Sequence, residues 1–489
     1  MSDDPTLLEQ LRAAAQLLES IAEDRSMLAP VDRALRERLL KAAGQVSRPD
    51  KHSRKALAKA QNRKRKLEKR SQDEAILNQT GIRKLRESPI FQTPRRKALH
   101  DGVGEEPIGD VNEARICYVC RANFTAVHHF YDQMCVTCGD FNYMKRTQEG
   151  DLRGRVAIVT GARVKIGFQA AILLLRSGCQ VIVLTRFPAD AAKRYAAEPD
   201  FEAWSDRLRI HGIDLRHTPS VEALCAHLLQ TLPHLDFIVN NACQTVRRPP
   251  GFYDHLMDLE MQAGLLAPHE QRLLGSTDTS QAITARQASI PSAAFSQIEL
   301  IDEDRHRGNH LFPAGQLDAD LQQVDLREVN SWRLKLAEVP TIELLEVHLV
   351  NAVAPFLLNA RLKPLMVRVP TADKHVVNVS AMEGQFYRIF KTDRHPHTNM
   401  AKASLNMMTR TSAIDYIDDG IHMNSVDTGW VTDEDPVAHA QKKKEIHRFH
   451  PPLDIVDGAA RIVDPIFSGL NTGQHVWGQF LKDYVPTDW

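Results

Sequence analysis

Two Cys-x-x-Cys pairs, Cys117 with Cys120 and Cys135 with Cys138, stand fourteen residues apart. Each pair can bend around one tetrahedral metal, and four thiolates close the shell, so the pattern predicts a structural zinc with no open catalytic position. His128 and His129 lie between the pairs. With four sulfurs available they are read as structural or surface residues. A second chemistry-bearing stretch is Thr160-Gly-Ala-Arg-Val-Lys-Ile-Gly167. At such a turn the missing side chains let backbone N–H groups approach a phosphate, and a following helix adds its positive end.

These residues need elements to hold them. Val156-Ala-Ile-Val159 is a short apolar run of buried-strand type before the glycine turn, Phe168 to Arg176 is helical in character, and Val181-Ile-Val-Leu184 is a second buried run. Strand, glycine turn, helix, strand predicts a parallel sheet with crossover helices, and the runs at Phe237–Val239, Val376–Val379 and His422–Val426 extend the alternation. The fold expected is α/β, a Rossmann-type doubly wound parallel sheet, preceded by a helical basic N-terminal region and a small zinc knuckle.

The 489 residues contain 62 Lys+Arg and 62 Asp+Glu, with 43% hydrophobic residues. That composition is of the soluble globular kind and excludes collagen-like, disordered and disulfide-scaffold classes. The zero balance conceals a dipole: between Val46 and His100 there are 17 Lys+Arg against 5 Asp+Glu, so the remainder is acidic. This stretch, with Arg63-Lys-Arg-Lys66, reads as an exposed helix or flexible arm, a surface for nucleic acid or an acidic protein, or a nuclear signal in a eukaryotic host. Against nucleic acid stands the lack of interleaved aromatics. Before it, Leu7, Leu11, Leu18 and Ile21 share a helix face, and Leu35 and Leu39 mark a second helix stopping at Gly44, an arrangement read as an amphipathic hairpin. No uncharged apolar run approaches the roughly 18 residues of a membrane span. Met1-Ser-Asp-Asp-Pro5 carries neither part of a secretory signal. A cytoplasmic protein without membrane association is expected. The domains expected are a helical hairpin at 1–45, a basic arm or linker at 46–110, a four-cysteine module at 111–150 and the main body at 151–489.

Further motifs follow the glycine turn: Asp214-Leu215, Asn240-Asn-Ala-Cys243, Asn351 in Val350-Asn-Ala-Val353, Ser380, Lys402 in Met400-Ala-Lys-Ala-Ser-Leu-Asn406, and Thr428-Gly-Trp-Val-Thr432. In this order they resemble the short-chain dehydrogenase/reductase family over essentially all of 151–489. The resemblance implies that Gly161, Ile166 and Gly167 border the cofactor phosphates, that Asp214 and Leu215 face the adenine, and that Asn241 and Ala242 lie near the ribose. It further implies that Lys402 holds the nicotinamide ribose beside Gly429 and Val431. Where members that prefer NAD carry an acid after the second strand, this chain has Arg186, and Arg163 and Lys165 add charge in the turn. NADP(H) is therefore expected over NAD(H), although Arg186 can also merely cap a surface turn.

Three departures stand out. Lys165 occupies the place of the family's middle turn glycine, Thr428 that of a proline, and Thr398 that of the catalytic tyrosine four residues before Lys402. An aliphatic hydroxyl is a much weaker acid than a phenol, so without a replacement roughly 10²- to 10⁴-fold less acid–base help is expected. Tyr387 with Lys391 repeats the Tyr-x3-Lys spacing by coincidence, yet Tyr387 can reach the site from the loop after Ser380. His395 and His397 flank Pro396 and offer an imidazole donor, or else a solvent-facing polar loop. Asn351, Ser380 and Lys402 keep family-like positions. An insertion at about 247–324, and the stretch 433–452 where the family places its substrate loop, are expected to be lids or partner surfaces.

Two functions compete. One is an NADP(H)-dependent oxidoreductase of a carbonyl or alcohol substrate, with Asn351, Ser380, Lys402 and one of Thr398, His397 or Tyr387 in its relay, self-associating as family members do. The other is a nucleotide-binding regulator or scaffold whose zinc module and basic arm bind a protein or nucleic acid.

Overall fold

In the computed structural model the described residues are 5–94, 105–275, 291–387, 391–432, 434, 436 and 450–489. Almost all of the stretch 433–452, the centre of the insertion at 276–290 and the end of the basic stretch at 95–100 lie outside them. The chain divides into two units, Met1–Gln72 and Asp73–Trp489.

The first unit is helical: Pro5–Glu23, Arg33–Ser47 and the greater part of Lys51–Leu77. Asp32 starts the second helix by accepting the Leu35 N–H at 2.9 Å, and that helix continues past Gly44 to Ser47. The leucine stripe expected to close a hairpin is not buried: Leu7 and Leu11 are 55% and 59% exposed. The following turn, Arg25–Leu28, contacts this helix, and Ile21 and Leu28 are buried there. Along Lys51–Leu77, at 100° per residue, Lys51, Arg54, Lys55, Lys59, Arg63, Arg65, Lys66, Lys69 and Arg70 fall within one half of the circumference, all exposed.

In the second unit a two-stranded antiparallel ribbon, β1 (Gly109–Ile116) and β2 (Asn123–Val127), precedes an eight-stranded sheet. Its strands are β3 (Val156–Thr160), β4 (Gln180–Thr185), β5 (Leu208–Gly212), β6 (Phe237–Asn240), β7 (Lys374–Ser380), β8 (Ile421–Asp427), β9 (Phe480–Lys482) and β10 (Val485–Thr487). The spatial order is β10-β9-β8-β7-β6-β3-β4-β5, parallel except for the β9–β10 hairpin. This is the doubly wound sheet expected. Alternation along each strand builds both layers. Ala157, Val159, Val181, Val183 and Val377 pack against helices Lys165–Arg176 and Ile455–Thr472, while Val156, Ile158, Ile182 and Val376 pack against Thr218–Thr231, Ala354–Met366 and Pro396–Ile417.

The stretch Thr341–Met366 is long and apolar enough to cross a membrane by length and composition. It includes buried Glu343 and Glu346, and its Leu358, Leu362, Leu365 and Met366 belong to the sheet's core. From β3 the chain winds outward through β4 to β5, then returns to place β6 on the other side of β3. The connections leave β3 and β6 in opposite directions, and the crevice at their carboxyl ends is where a doubly wound sheet binds ligands.

Candidate active site

Gly161 reverses the chain after β3 with φ +65°. A Cβ there would lie 2.7 Å from the Ala242 Cα, and one on Gly167 would lie 2.2 Å from the Asn241 Nδ2. The close approach draws the two strand ends together: Asn241 donates to the Thr160 and Gly161 carbonyls at 3.1 and 3.2 Å, and the Ala242 N–H donates to the Thr160 hydroxyl at 2.9 Å. Helix Lys165–Arg176 begins here, and Lys165, Ile166 and Gly167 line a cavity of about 1530 Å³. Lys165 itself has φ +55°. The backbone thus keeps a glycine-like left-handed turn although the residue carries a side chain.

The cations of this crevice divide into spent and available. Arg163, expected to add positive charge for a phosphate, pairs instead with Asp190, which also accepts from Arg194 at 2.6 Å. Its burial pushes the guanidinium pKa down from the ordinary value. Arg186 is different. It sits 4.8 Å above the Tyr253 ring and 5.5 Å from the Phe187 ring, donates to the Tyr253 hydroxyl at 2.7 Å, and has no carboxylate partner among the described residues. Asp214 lines the cavity with Leu215, but Arg216 holds it at 2.7 Å, and Arg216 also reaches Glu346 at 2.8 Å. The Arg216 partnership keeps the Asp214 carboxyl below its usual range despite burial.

At the carboxyl ends of β7 and β8 the same cavity is lined by Ser380, Lys402 and Asp427. Lys402, only 3% exposed, donates to the Val379 carbonyl at 2.7 Å. The Ser380 hydroxyl is buried without a hydrogen-bond partner among the described residues. Asn351 lies in a wide helical turn, Leu349–Val353, and exchanges hydrogen bonds with the Gln244 main chain, accepting at 2.7 Å and donating at 3.1 Å. Its amide is therefore engaged by protein.

Of the three residues proposed to finish the relay, Tyr387 borders this cavity and Thr398 and His397 are not among its lining residues. Thr398 is buried, its hydroxyl unpartnered among the described residues, and it is not among the cavity's lining residues. His397 is 1% exposed and faces Glu343 at 3.3 Å, again away from the lining. Tyr387 borders the cavity but is 88% exposed. His395 does line it, stacked on Trp332 with ring centroids 4.0 Å apart, so it is no solvent-facing loop residue.

Two further walls complete the cavity, one that sequence reasoning did not place there and one from the insertion expected to be a lid or partner surface. The first is the cysteine module. The sulfurs of Cys117, Cys120, Cys135 and Cys138 lie within 4.8 Å of one another. The module docks on helix Ile455–Thr472: Tyr131 donates to Asp457 at 2.6 Å, and Arg146 binds Asp454 and Asp457 at 2.7 and 2.9 Å. His128 is buried within the module, its Nδ1 accepting the Phe130 N–H at 3.0 Å. Tyr118 and Gln133 of this module line the cavity. The second wall is the insertion. Arg247 pairs with Asp304 and, at 2.9 Å, with Glu346, while Phe252, Tyr253 and Phe312 pack on Phe187. Its lining residues include Arg248, Tyr253, Gln323 and Val324.

Residues 155–258 match the family described as short chain dehydrogenase, and residues 329–453 match that described as enoyl-(acyl carrier protein) reductase. An uncharacterized protein of Acanthamoeba polyphaga mimivirus is 29% identical over 386 residues, covering 75% of this chain and 74% of the relative. The short-chain dehydrogenase/reductase pyiH of Pyricularia grisea is 26% identical over 202 residues, 38% of this chain and 81% of its own. Among solved structures, an NADPH-bound carbonyl reductase from chicken fatty liver aligns with a TM-score of 0.42 at 17% identity, covering 69% of this chain and 100% of that one.

Proposed function

The chain belongs to the short-chain dehydrogenase/reductase family, and on that footing we propose that it is an NADP(H)-dependent oxidoreductase of a carbonyl or alcohol substrate with a modified proton relay. The observation that carries the reading is the pairing of an unpartnered, buried Ser380 hydroxyl with Lys402 on the neighbouring Val379 carbonyl, both in the cavity that the Gly161 turn opens into. When bound, a nicotinamide supplies or accepts hydride. Ser380 then holds the substrate oxygen, and Lys402 orients the ribose end while placing a positive charge beside the reacting groups.

Arg186 supports NADP(H) over NAD(H), since a guanidinium held against the Tyr253 and Phe187 rings, with no ion pair to a carboxylate among the described residues, suits a 2′-phosphate. For the cysteine module we propose one structural zinc. A tetrahedron with Zn–S bonds of about 2.3 Å has sulfur–sulfur edges of about 3.8 Å, and the Cys120 and Cys135 sulfurs are 3.7 Å apart.

One observation favours a second reading, a noncatalytic nucleotide-binding regulator: Thr398, in the place of the family's tyrosine, is not among the residues that line the cavity. Turnover separates the two. The oxidoreductase reading expects NADPH oxidation with some member of a broad aldehyde and ketone panel, abolished by Lys402→Ala. NADPH that binds stoichiometrically while no carbonyl or alcohol is turned over would favour the regulator.

A further inference from the structure

Asp427 is the last residue of β8, and its register partner across the parallel pair is Ser380, the last residue of β7. Neighbouring strands run about 4.8 Å apart and register partners project to the same face of the sheet. Both residues line the cavity, next to Lys402 on the Val379 carbonyl. Asp427 is 6% exposed, and among the described residues its carboxylate has no hydrogen-bond or ion-pair partner, the nearby cations acting on it through space. It is thus a buried acid facing the cavity that the rest of the fold leaves unused.

We infer that Asp427 is the proton donor and acceptor of the reaction, taking over the task of the phenol missing at Thr398. This rests on the oxidoreductase reading. In carbonyl reduction the reduced nicotinamide's hydride forms the new C–H bond. The carbonyl π pair takes the proton of the Asp427 carboxylic acid, and the products are the alcohol, the oxidised nicotinamide and the Asp427 carboxylate, which solvent reprotonates. Alcohol oxidation runs the same transfers in reverse, the carboxylate accepting the hydroxyl proton. Ser380 holds the oxygen in both directions.

The surroundings suit that task. The charged groups facing Asp427 are Lys482 and Asp483 at the β9–β10 turn, Glu383 after β7, and Arg461 of helix Ile455–Thr472. The Tyr118 phenol faces it from the cysteine module. Both cations are already engaged by Asp483: Lys482 pairs with it, and Arg461 reaches it at 3.1 Å. Burial therefore dominates and pushes the Asp427 carboxyl up to about 6, where both protonation states are accessible near neutrality.

The test compares wild type with Asp427→Asn and Asp427→Glu on whichever carbonyl the enzyme reduces. Asp427→Asn is expected to lower kcat by about 10²-fold or more while the NADPH affinity, read by nicotinamide fluorescence, is unchanged. The wild-type reduction rate should fall as pH rises through about 6, the value set by burial of Asp427, and this limb should vanish in Asp427→Asn. Asp427→Glu should restore part of the rate. Infrared difference spectra of the cofactor-free protein should contain a protonated-carboxyl band that titrates over the same range and is absent from Asp427→Asn. An active enzyme whose Asp427→Asn variant keeps the wild-type kcat and pH profile overturns this inference alone. A wild type that binds NADPH and turns over nothing overturns the oxidoreductase reading and this inference with it. Should Asp427→Asn lose cofactor binding, Asp427→Glu and the wild-type band decide: a band titrating in the ordinary carboxylate range, with kcat unaltered by the longer side chain, contradicts the role.

Discussion

The phenol oxygen of Tyr118, one residue after Cys117, accepts the main-chain N–H of Trp430 at 3.0 Å. Trp430 belongs to the Thr428–Thr432 turn that lines the cavity, and a Cβ on Gly429 in that turn would come within 3.2 Å of the same phenol oxygen. The cysteine module is therefore fastened to the site itself. Chelation of the proposed zinc, or Cys135→Ser, is expected to lower Tm and to weaken NADPH binding about tenfold or more, because metal binding and folding of such a module are one equilibrium. Calorimetric titration with NADPH before and after chelation checks this. Unchanged affinity would make the module a bystander.

Lys165 holds φ +55° where the family places glycine. A side chain in the left-handed region costs about 1–2 kcal/mol, partly offset by the greater unfolded-state freedom of glycine. Lys165→Gly is expected to stabilise the fold by up to about 1 kcal/mol, read by urea denaturation. A destabilised variant would mean that the lysine side chain contributes more than its backbone costs.

The proposed preference for NADP(H) rests on Arg186. Arg186→Ala is expected to weaken NADPH binding by about 10- to 100-fold and to leave NADH binding nearly unchanged. Cys243 offers an independent readout, since it is exposed and lines the same cavity. Saturating NADPH should slow its alkylation in wild type, and should do so less in Arg186→Ala at equal concentration.

Arg146 is fully buried between Asp454 and Asp457. Arg146→Ala leaves two buried carboxylates unpaired and is expected to cost about 3–5 kcal/mol. The pH dependence follows from Asp454, which Arg146 holds below its ordinary value of 3.8. A carboxyl lowered on folding contributes stability that is complete above the unfolded pKa and is lost as pH falls through the folded one. Arg146→Ala removes that contribution, so acid unfolding should begin at a higher pH than in wild type, as followed by far-UV circular dichroism.

What was legible in the sequence is what local pattern controls. The apolar runs at Val156, Val181, Phe237, Val376 and His422 each became strands, and the glycine turn falls where β3 ends. The cysteine spacing brought four sulfurs together. β5, β9 and β10 were missed: they are short, and Arg209 and His211 interrupt the apolar run of β5. The site's electrostatics were less legible, because they depend on partners far along the chain. Arg163 is adjacent to the turn in sequence, yet its charge is satisfied by Asp190, and Asp427 gained significance only once β8 was laid beside β7. Likewise, proximity to Lys402 suggested Thr398 and His397, but both are buried away from the cavity's lining.

Hydride transfer itself tests the account most directly. The protein should be incubated with NADPH dideuterated at the nicotinamide C4 and a panel of aldehydes and ketones, and the products analysed by mass spectrometry. The account predicts an alcohol carrying one deuterium at its carbinol carbon, formed by wild type and absent with Lys402→Ala. Stoichiometric binding of the labelled cofactor with no deuterated alcohol from any carbonyl would contradict it.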